Sequence, residues 1–284
     1  SIVGSVLHIC GVSRPDCAYS ISCLARHSKM AGPEHVEALL RLVRYLYQTR
    51  YKAITYRGDV SNMHVPTVFE SGVHPLDVNK ENPTKLFVDS DFAGTGGRST
   101  AGHVVFMNGG PVIWSSKLMK VAATSSSEAE IIAAVESVKT GVHFRALLEE
   151  LGLCRVKHID VYEDNLSCRM SAESLRCHKK ARHYQAKLRY LQDAVQAGFI
   201  KFHQTKTTDM IADLFTKPLL SPDHHRLAYT MLSDLPERVV RLSEEALVTP
   251  MKVTLVDEEI SRDECIIDLE GLEDENDADV NRLI

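Results

Sequence analysis

The order of apolar segments in the middle of the chain is the feature that most restricts its fold. Three short segments with the alternating pattern of β-strands come first, at Lys85–Ser90, Gly102–Met107 and Val112–Ser115. Asn108-Gly109-Gly110, between the second and third segments, predicts a tight hairpin turn. A long helical pattern begins after Ser125–Ser127, whose hydroxyls suit a helix N-cap.

Strands and helices alternate in the remainder of this region. The predicted segments are the long helix to Gly152, a strand at His158–Tyr162, a short helix from Asn165, a helix at Ala181–Ala197, a strand at Phe199–His203 and a short helix at Asp209–Thr216. Three antiparallel strands, followed by strands that are reached through helices, predict a mixed five-stranded sheet flanked by helices. The predicted fold class is therefore α/β.

The chain divides into four parts by its sequence patterns. Residues 1–57 are predicted to be helical, with an amphipathic pattern at His35–Tyr47 and a short strand at Ala53–Arg57. Residues 58–83 are rich in Gly, Ser, Pro, Asn and Asp without periodicity, which predicts a linker. Residues 84–220 form the predicted α/β domain, and residues 221–284 form a C-terminal extension with no recognisable pattern.

Charge is distributed unevenly along the chain. The formal net charge is −5, but residues 257–284 carry twelve acidic residues and two Arg, which leaves 31 basic and 26 acidic residues in 1–256. We expect the acidic tail to be disordered from about residue 257, because it has little apolar surface to bury. The mildly basic remainder suits a polyanionic partner.

Apolar runs and cysteines argue against a membrane or secreted protein. No run of 18 or more apolar residues predicts a membrane span, and no basic segment followed by an apolar one predicts a secretory leader. The seven cysteines are odd in number, scattered and without CxxC spacing. This pattern argues against a zinc site or a disulfide framework and fits a reducing compartment.

Acidic residues stand at the ends of several predicted elements. Asp89 ends the first strand, Glu130 lies in the first turn of the long helix, Asp164 ends the fourth strand and Asp213 lies in the last helix. Carboxyl ends of strands and starts of adjacent helices can converge on one edge of a sheet, where such acids could bind Mg²⁺ through oxygen. Spacing alone makes this a weak prediction, because most of the 38 acidic residues are expected to be solvated.

Spacing leaves alternatives open for each of these acids. Glu128 and Glu130 are about 200° apart on a helix, so both cannot face one metal pair, and we favour Glu130. Asp89 and Asp91 share one face of a strand and cannot be separated by spacing. The acid of the fourth strand could be a helix N-cap, either instead of a metal ligand or together with that role, and the acid of the last helix could be a solvated side chain.

Five short motifs follow one another in order between residues 89 and 219. They are DSDFAG at 89–94 with RSTAG at 98–102, WSSK at 114–117, TSSSEAEII at 124–132, YEDN at 162–165 and IADLFTKPL at 211–219. The set resembles the ribonuclease H domain of copia-type LTR retrotransposon polyproteins. A single motif of this kind is weak, whereas their order and intervals make the set specific.

The N-terminal part resembles the end of the reverse transcriptase region of the same polyproteins. RPDCAY at 14–19 and the segment 35–48 carry this similarity. The chain contains no Y-x-D-D element, so the polymerase palm is absent. We therefore expect no DNA synthesis by this chain alone.

The resemblance implies a ribonuclease H-like fold and an endonuclease that hydrolyses the RNA strand of RNA/DNA hybrids during reverse transcription. Two Mg²⁺ ions, which Mn²⁺ could replace, would be bound by residues that match the family's four metal-binding carboxylates: Asp89, Glu130, Asp164 and Asp213. The match favours Asp89 over Asp91. The implied partners are the hybrid and the remainder of the reverse transcriptase, and the implied location is the cytoplasm, in a virus-like particle, or the nucleus.

Six further residues are predicted to contact the nucleic acid. They are Lys117, Asn165, Lys179, Lys180, Arg182 and His183. The last four form the densest basic group of the chain and could contact the phosphate backbone. His183 aligns with a histidine of the family's K-H-I-D motif, but the acid of that motif is missing here, so a surface histidine is an equal alternative.

A second function class also fits the sequence. A catalytically silent or co-opted retrotransposon fragment could act as a nucleic-acid-binding or scaffolding module, which predicts hybrid binding without cleavage. The complete set of four acids speaks against it, because mutually repelling carboxylates have no physical reason to stay in an idle site. In a third possibility, the chain is active only when docked on a separate polymerase.

Overall fold

The chain is described over four ranges. The computed structural model describes residues 1–56, 84–151, 158–174 and 184–235. The predicted linker at 58–83, the basic residues Lys179, Lys180, Arg182 and His183, and the acidic tail lie outside the described residues. Within these ranges no helix is long and apolar enough to cross a membrane.

A five-stranded mixed sheet forms the centre of the described chain. Its strands are β2 (Thr84–Thr95), β3 (Arg98–Met107), β4 (Gly110–Leu118), β5 (Ile159–Glu163) and β6 (Ile200–Gln204), in the order β4-β3-β2-β5-β6. β2, β3 and β4 are antiparallel, whereas β5 is parallel to β2 and β6 is parallel to β5. The predicted α/β fold class, a mixed five-stranded sheet flanked by helices, is confirmed.

The hairpin between β3 and β4 follows from its turn residues. Asn108 and Gly109 both have left-handed backbone conformations, with φ of 50° and 82°. Two consecutive residues of this kind are what a tight hairpin turn of type I′ requires, and Asn and Gly are the residues that accept it most readily. The predicted turn is therefore confirmed.

One face of the sheet is covered by three helices. They are α4 (Ser126–Glu150), α5 (Leu166–Glu173) and α6 (Gln185–Gln196). Alternate residues of β2, such as Leu86 and Val88, belong to the same fully buried cluster as Val138 of α4 and Leu191 of α6. This cluster is the main hydrophobic core of the described chain.

The opposite face is covered by shorter elements. Two 3₁₀ segments, Thr207–Asp209 and Ile211–Phe215, are followed by α7 (Ser221–Ala228). Phe87 of β2 and Leu227 of α7 are buried together with the second of these segments. The sheet is thus buried on both faces near its centre.

Three N-terminal helices pack together, and the first two of them contact strand β4. They are α1 (Ile2–Val12), α2 (Ala18–Ala25) and α3 (Pro33–Gln48). The indole nitrogen of Trp114 on β4 donates a hydrogen bond to the carbonyl oxygen of Cys10, at 2.9 Å. The hydroxyl of Ser22 donates to the carbonyl oxygen of Ser116, also at 2.9 Å. Trp114 therefore has the structural role that is usual for a half-buried tryptophan.

A buried polar network joins these helices to α7. The Nε and Nη2 atoms of Arg14 donate to the two carboxylate oxygens of Asp16, at 2.9 and 2.7 Å. The hydroxyl of Tyr45 donates to the same carboxylate at 2.8 Å, and Nε2 of His224 lies 3.0 Å from the carbonyl oxygen of Asp16. Because buried polar groups need partners, this network fixes how α7 sits against the N-terminal helices.

The described start of the C-terminal extension is also structured. A short strand β1 (Lys52–Ala53) pairs antiparallel with β7 (Ser233–Asp234). The short strand predicted at Ala53–Arg57 is correct only at Ala53, because the strand is Lys52–Ala53, residues 54–56 are not in a strand, and residue 57 lies outside the described residues. No sequence pattern predicted α7 or β7. Residues 221–235 pack against residues 1–56 as well as the sheet, while the division of the chain into domains stays a prediction.

Three predicted positions differ from the structure. Asp89 lies inside β2 rather than at its end, because regular pairing with β3 continues two residues further. Glu130 lies in the second turn of α4 rather than the first, because that helix begins at Ser126. The single short helix predicted at Asp209–Thr216 is two 3₁₀ segments.

Candidate metal centre

Three carboxylates from different elements meet at one edge of the sheet. Asp89 is on β2, Glu130 is on α4, and Asp164 directly follows β5. One side-chain oxygen of each residue lies within 4.8 Å of the other two. The register of the parallel strands puts Phe87 opposite Tyr162. Two residues further along each strand, the two aspartates therefore reach the same level of the sheet.

The start of α4 decides which of its two acids joins this cluster. Ser125 is the N-cap, and its hydroxyl accepts a hydrogen bond from the backbone nitrogen of Glu128 at 3.2 Å. The Glu128 carboxylate accepts hydrogen bonds from the backbone nitrogen and the hydroxyl of Thr124, at 2.8 and 2.7 Å. Glu128 is thus used to cap the helix, much as in a capping box. Glu130, which the sequence analysis favoured, is the acid in the cluster.

Burial changes the protonation of Glu130. Desolvation first, and then the charges of Glu163, Asp89 and Asp164, raise the pKa of its carboxyl to about 10. Its Oε2 atom is buried and has no hydrogen-bond partner among the described residues. A buried, unpartnered oxygen beside like charges is unfavourable unless a cation or a proton neutralises it.

The donor atoms of this cluster fit a hard divalent cation. All three residues offer carboxylate oxygen, which is the ligand that Mg²⁺ prefers. A cation at this position would offset the mutual repulsion of the carboxylates and provide a partner for the unpartnered oxygen of Glu130. Asp89, Glu130 and Asp164 are therefore able to hold a divalent metal ion.

Asp213 borders the cluster and is paired with a lysine. It is buried in the 3₁₀ segment Ile211–Phe215 and is not among the three acids whose oxygens converge. Its Oδ1 atom lies 2.9 Å from Nζ of Lys217. Burial and the charge of Asp89 raise the pKa of Asp213 to about 7, against the lowering effect of Lys217. The structure thus brings three of the four predicted acids together and places the fourth beside them in an ion pair.

The two alternatives for the aspartates can be judged from their contacts. The Asp91 carboxylate lies against Gly94, where an added β-carbon would be 1.7 Å from Oδ2 of Asp91. Asp91 therefore contacts the end of β2, where the register with β3 shifts between Asp91 and Thr95, and burial is the main cause that raises its pKa. The N-cap of α5 is Asn165, whose side chain accepts a hydrogen bond from the backbone nitrogen of Cys168 at 3.0 Å. The N-cap alternative for Asp164 is thus wrong.

Glu163 is a buried acid that the sequence analysis did not assign to the site. It ends β5, is 0% exposed, and accepts a hydrogen bond from the backbone nitrogen of Asn165 at 3.1 Å. Burial is the first cause that raises its pKa well above the ordinary value. Strand alternation was the available signal, because Glu163 shares the core-facing side of the strand with Ile159 and Val161.

Thr216 and Lys217 of the last motif were also missed. The Thr216 hydroxyl donates a hydrogen bond to Oδ2 of Asp89. Gly102, the ladder partner of Asp89, permits this contact. A β-carbon at Gly102 would lie 2.6 Å from both Cβ of Phe215 and Cγ2 of Thr216. The motif IADLFTKPL contained the signal, but only its acid was assigned a role.

Two of the six residues predicted to contact nucleic acid lie in the described ranges. Lys117 is exposed on β4, opposite Ala101 of β3. Asn165 uses its side-chain oxygen to cap α5. Nucleic-acid contact by these two residues, and by the four basic residues outside the described ranges, stays a prediction.

The chain is similar to the Pol polyproteins of plant retrotransposons. It is 28% identical over 219 residues to the retrovirus-related Pol polyprotein from transposon TNT 1-94 of Nicotiana tabacum, which covers 76% of this chain and 15% of that protein. The corresponding polyprotein from transposon RE1 of Arabidopsis thaliana is 28% identical over 221 residues, or 77% of this chain and 14% of that protein. The chain thus spans about 15% of the length of these relatives. No protein-family model matches the chain.

A shorter relative has a different name. The secreted RxLR effector protein 161 of Plasmopara viticola is 30% identical over 146 residues, which cover 50% of this chain and 87% of that protein. Almost the whole length of that protein thus corresponds to part of this chain.

Solved structures show weaker similarity. LC11-RNase H1, isolated from compost by a metagenomic approach, is 16% identical with a TM-score of 0.38, over 48% of this chain and 93% of that chain. The foamy viral protease-reverse transcriptase in complex with dsDNA is 16% identical with a TM-score of 0.33, over 72% of this chain and 38% of that chain. Because these TM-scores are low, the assignment of the fold class rests on the strand order and directions of the sheet.

Proposed function

We propose, from the similarity to the Pol polyproteins of plant retrotransposons, that the chain is a Mg²⁺-dependent endonuclease that hydrolyses the RNA strand of RNA/DNA hybrids during reverse transcription. The observation that carries the proposal is the convergence of Asp89, Glu130 and Asp164 within 4.8 Å of one another. A bound cation would offset the repulsion between these carboxylates and would give the unpartnered oxygen of Glu130 a partner.

The acids would hold two Mg²⁺ ions, as the resemblance implies. When bound, such ions help to deprotonate the attacking water and stabilise the charge on the leaving oxygen. Asp89, Glu130 and Asp164 are the ligands that the geometry favours, and Asp213 is the ligand that the resemblance adds. Mn²⁺ could replace Mg²⁺, because it also accepts carboxylate ligands.

Other residues of the chain orient the acids of the site and provide positive charge for the phosphates. The Thr216 hydroxyl holds the Asp89 carboxylate in one orientation. Capping by Glu128 and Ser125 fixes the start of α4, and with it the direction from which Glu130 reaches the cluster. Lys117 and the basic residues at 179–183 would contact phosphates of the hybrid without reading its bases.

The hybrid would be recognised by its shape and its ribose 2′-hydroxyls, so cleavage should depend little on sequence. The remainder of the reverse transcriptase is the second partner that we propose. We place the reaction in a cytoplasmic virus-like particle, with the nucleus as the alternative.

A substrate comparison tests the proposed function. The purified chain is incubated with RNA/DNA hybrid, double-stranded RNA and double-stranded DNA of one sequence, each end-labelled, in Mg²⁺, Mn²⁺ or EDTA. We expect cleavage of the RNA strand of the hybrid alone, in either metal, and none in EDTA. If the folded chain leaves the hybrid intact in both metals, or cuts all three duplexes equally, the proposed function is wrong.

A second candidate is a co-opted binding or scaffolding module. The observation in its favour is the similarity to the secreted RxLR effector protein 161, whose name describes no nuclease. This candidate predicts that the chain binds the hybrid without cutting it, or does not bind it. A chain that cuts only after a separate reverse transcriptase is added would instead indicate a docked subunit.

A further inference from the structure

Lys217 places an ammonium group inside an acidic site. Its Nζ atom is 2.9 Å from Oδ1 of Asp213, and its side chain is about one third exposed. The charges of Asp89, Asp213 and Asp164 raise the pKa of Lys217, despite the opposing effect of burial. The lysine therefore keeps its positive charge in the site at neutral pH.

The backbone around Lys217 fixes the position of this charge. The backbone nitrogens of Thr216 and Lys217 donate to the carbonyl oxygen of Asp213, at 3.2 and 3.3 Å, which turns the chain back over the aspartate. Thr216 is in turn bonded to Asp89 through its hydroxyl. The close approach of this segment to Gly102 leaves it little room to move away from the sheet.

The charge acts unequally on the acids of the site. Lys217 lowers the pKa of Asp213 through the ion pair between them, although burial and the charge of Asp89 raise this pKa overall. It also lowers the pKa of Asp164 and Asp91 through its charge, although burial raises both overall. Lys217 is paired with Asp213 at 2.9 Å, whereas Oε2 of Glu130 is buried and has no hydrogen-bond partner among the described residues. The side of the site that contains Asp213 is therefore partly neutralised, whereas the side that contains Glu130 is not.

We infer that Lys217 is a positioning residue that acts as an internal counter-ion on the Asp213 side of the site and weakens the binding of a second divalent cation there. The inference rests on the proposed function, in which the acids bind two ions. A second cation must either separate Lys217 from Asp213 or bind next to a fixed positive charge, and both are unfavourable. The cluster of Asp89, Glu130 and Asp164 binds the first ion without this competition.

Calorimetric titration of the full chain with Mg²⁺ tests the inference. The titrations are done at pH 8.5, where protons compete least for the carboxylates, on the wild type, Lys217→Met, Lys217→Arg and Lys139→Met. Lys139 is the matched control, because its Nζ is 2.9 Å from Glu136 in a surface ion pair on α4. Circular dichroism checks that each variant is folded.

Removal of the ammonium should strengthen the weaker ion-binding step. We expect Lys217→Met to bind the second Mg²⁺ roughly ten- to a hundredfold more tightly, with the first step changed less than about threefold. Lys217→Arg and Lys139→Met should resemble the wild type in both steps. A lysine with only a structural role would not give a gain in affinity when it is removed.

The outcomes separate this inference from the proposed function. If the wild type binds two ions and Lys217→Met binds the second no more tightly, or more weakly, the inference is wrong and the proposed function stands. If the folded wild type binds no Mg²⁺ at millimolar concentration, the proposed function is wrong and the inference falls with it.

Discussion

Single side chains control the candidate site, because the carboxylates of Asp89, Glu130 and Asp164 lie close to one another. Glu130 has Glu163, Asp89 and Asp164 as its charged neighbours. Asp89 is held by the hydroxyl of Thr216. Removing one group therefore changes the charge state or the orientation of its neighbours as well.

The protonation of Glu130 predicts a pH dependence of stability in the metal-free chain. Its pKa is raised from 4.5 to about 10 in the folded state. Between these values the folded chain keeps a proton that the unfolded chain releases, so the free energy of unfolding falls as pH rises, by at most about 1.4 kcal/mol per pH unit for one group. Glu130→Gln should flatten this dependence, measured by thermal unfolding in EDTA from pH 5 to 9.

A surface acid of the same helix is the control for this prediction. Glu136 is exposed on α4 and pairs with Lys139, so Glu136→Gln should keep the slope of the wild type. Equal slopes for Glu130→Gln and the wild type would show that Glu130 is not protonated in the folded, metal-free chain.

The hydroxyl of Thr216 should contribute more to Mg²⁺ binding than its methyl group does. Thr216→Val removes the donor to Asp89 at constant volume, which should lower the free energy of unfolding by about 2 kcal/mol and weaken Mg²⁺ binding. Thr216→Ser keeps the hydroxyl and should restore most of the Mg²⁺ affinity. Chemical unfolding and calorimetry measure both effects, and equal Mg²⁺ affinity for Thr216→Val and the wild type would contradict the role of the hydroxyl.

At the scale of elements, the site depends on the second 3₁₀ segment lying directly on strand β3. Gly102 makes this packing possible, because a β-carbon there would lie 2.6 Å from Cβ of Phe215 and 3.0 Å from its carbonyl carbon. The segment carries Asp213 and leads to Thr216 and Lys217. A residue with no side chain thus positions three side chains of the site.

Two glycine substitutions should have opposite effects on stability. Gly102→Ala should lower the free energy of unfolding by about 1–3 kcal/mol, because a buried backbone segment must shift. Gly11→Ala should raise it by about 0.5–1 kcal/mol, because Gly11 is helical, exposed and has no atom within 4 Å of an added β-carbon. Urea unfolding measures both, and a Gly102→Ala chain as stable as the wild type would contradict the packing described.

The elements differ in how far their sequence predicted them. The strands around Asn108-Gly109-Gly110 and the long helix after Ser125–Ser127 were predictable, because turn residues and periodicity mark them locally. α7 and β7 were not predicted, because their contacts are made with residues far away in sequence, such as Asp16 and Lys52. Tertiary contacts of this kind leave little local pattern.

The candidate site, like the fold, was only partly predictable from the sequence. The motifs indicated Asp89, Glu130 and Asp164, but spacing could not show that Asp213 is paired with Lys217, since that depends on how a 3₁₀ turn directs two side chains. Glu163 was missed because an acid at a core-facing strand position contradicts the usual rule for buried residues.

At the scale of the whole molecule, the N-terminal helices, the sheet and α7 are joined by buried contacts. Asp16 accepts hydrogen bonds from Arg14 and Tyr45 through its carboxylate and contacts His224 through its carbonyl oxygen. Trp114 connects β4 to the carbonyl of Cys10. Such contacts favour unfolding of the described chain as one unit.

The single tryptophan of the chain makes this cooperativity measurable. Urea unfolding followed by Trp114 fluorescence, which reports on the contact with α1, should coincide with unfolding followed by circular dichroism. Asp16→Asn should lower the free energy of unfolding by about 3–5 kcal/mol, because it leaves Arg14 buried without its charged partner. Both unfolding curves should then shift together to lower urea concentration. Two separate transitions would instead indicate that the N-terminal helices unfold independently of the sheet.

The central claim is that Asp89, Glu130 and Asp164 together form a metal site that hydrolyses RNA/DNA hybrids. The most direct measurement compares single-turnover cleavage of a labelled hybrid in Mg²⁺ by the wild type, Asp89→Asn, Glu130→Gln, Asp164→Asn and the surface control Asp193→Asn, which breaks an exposed ion pair on α6. We predict that each of the three site variants loses at least about a hundredfold in cleavage rate, whereas Asp193→Asn cuts like the wild type. A loss of this size is larger than is usual when a residue that only orients a metal ligand is replaced. A folded Asp164→Asn chain that cuts as fast as the wild type would contradict the account.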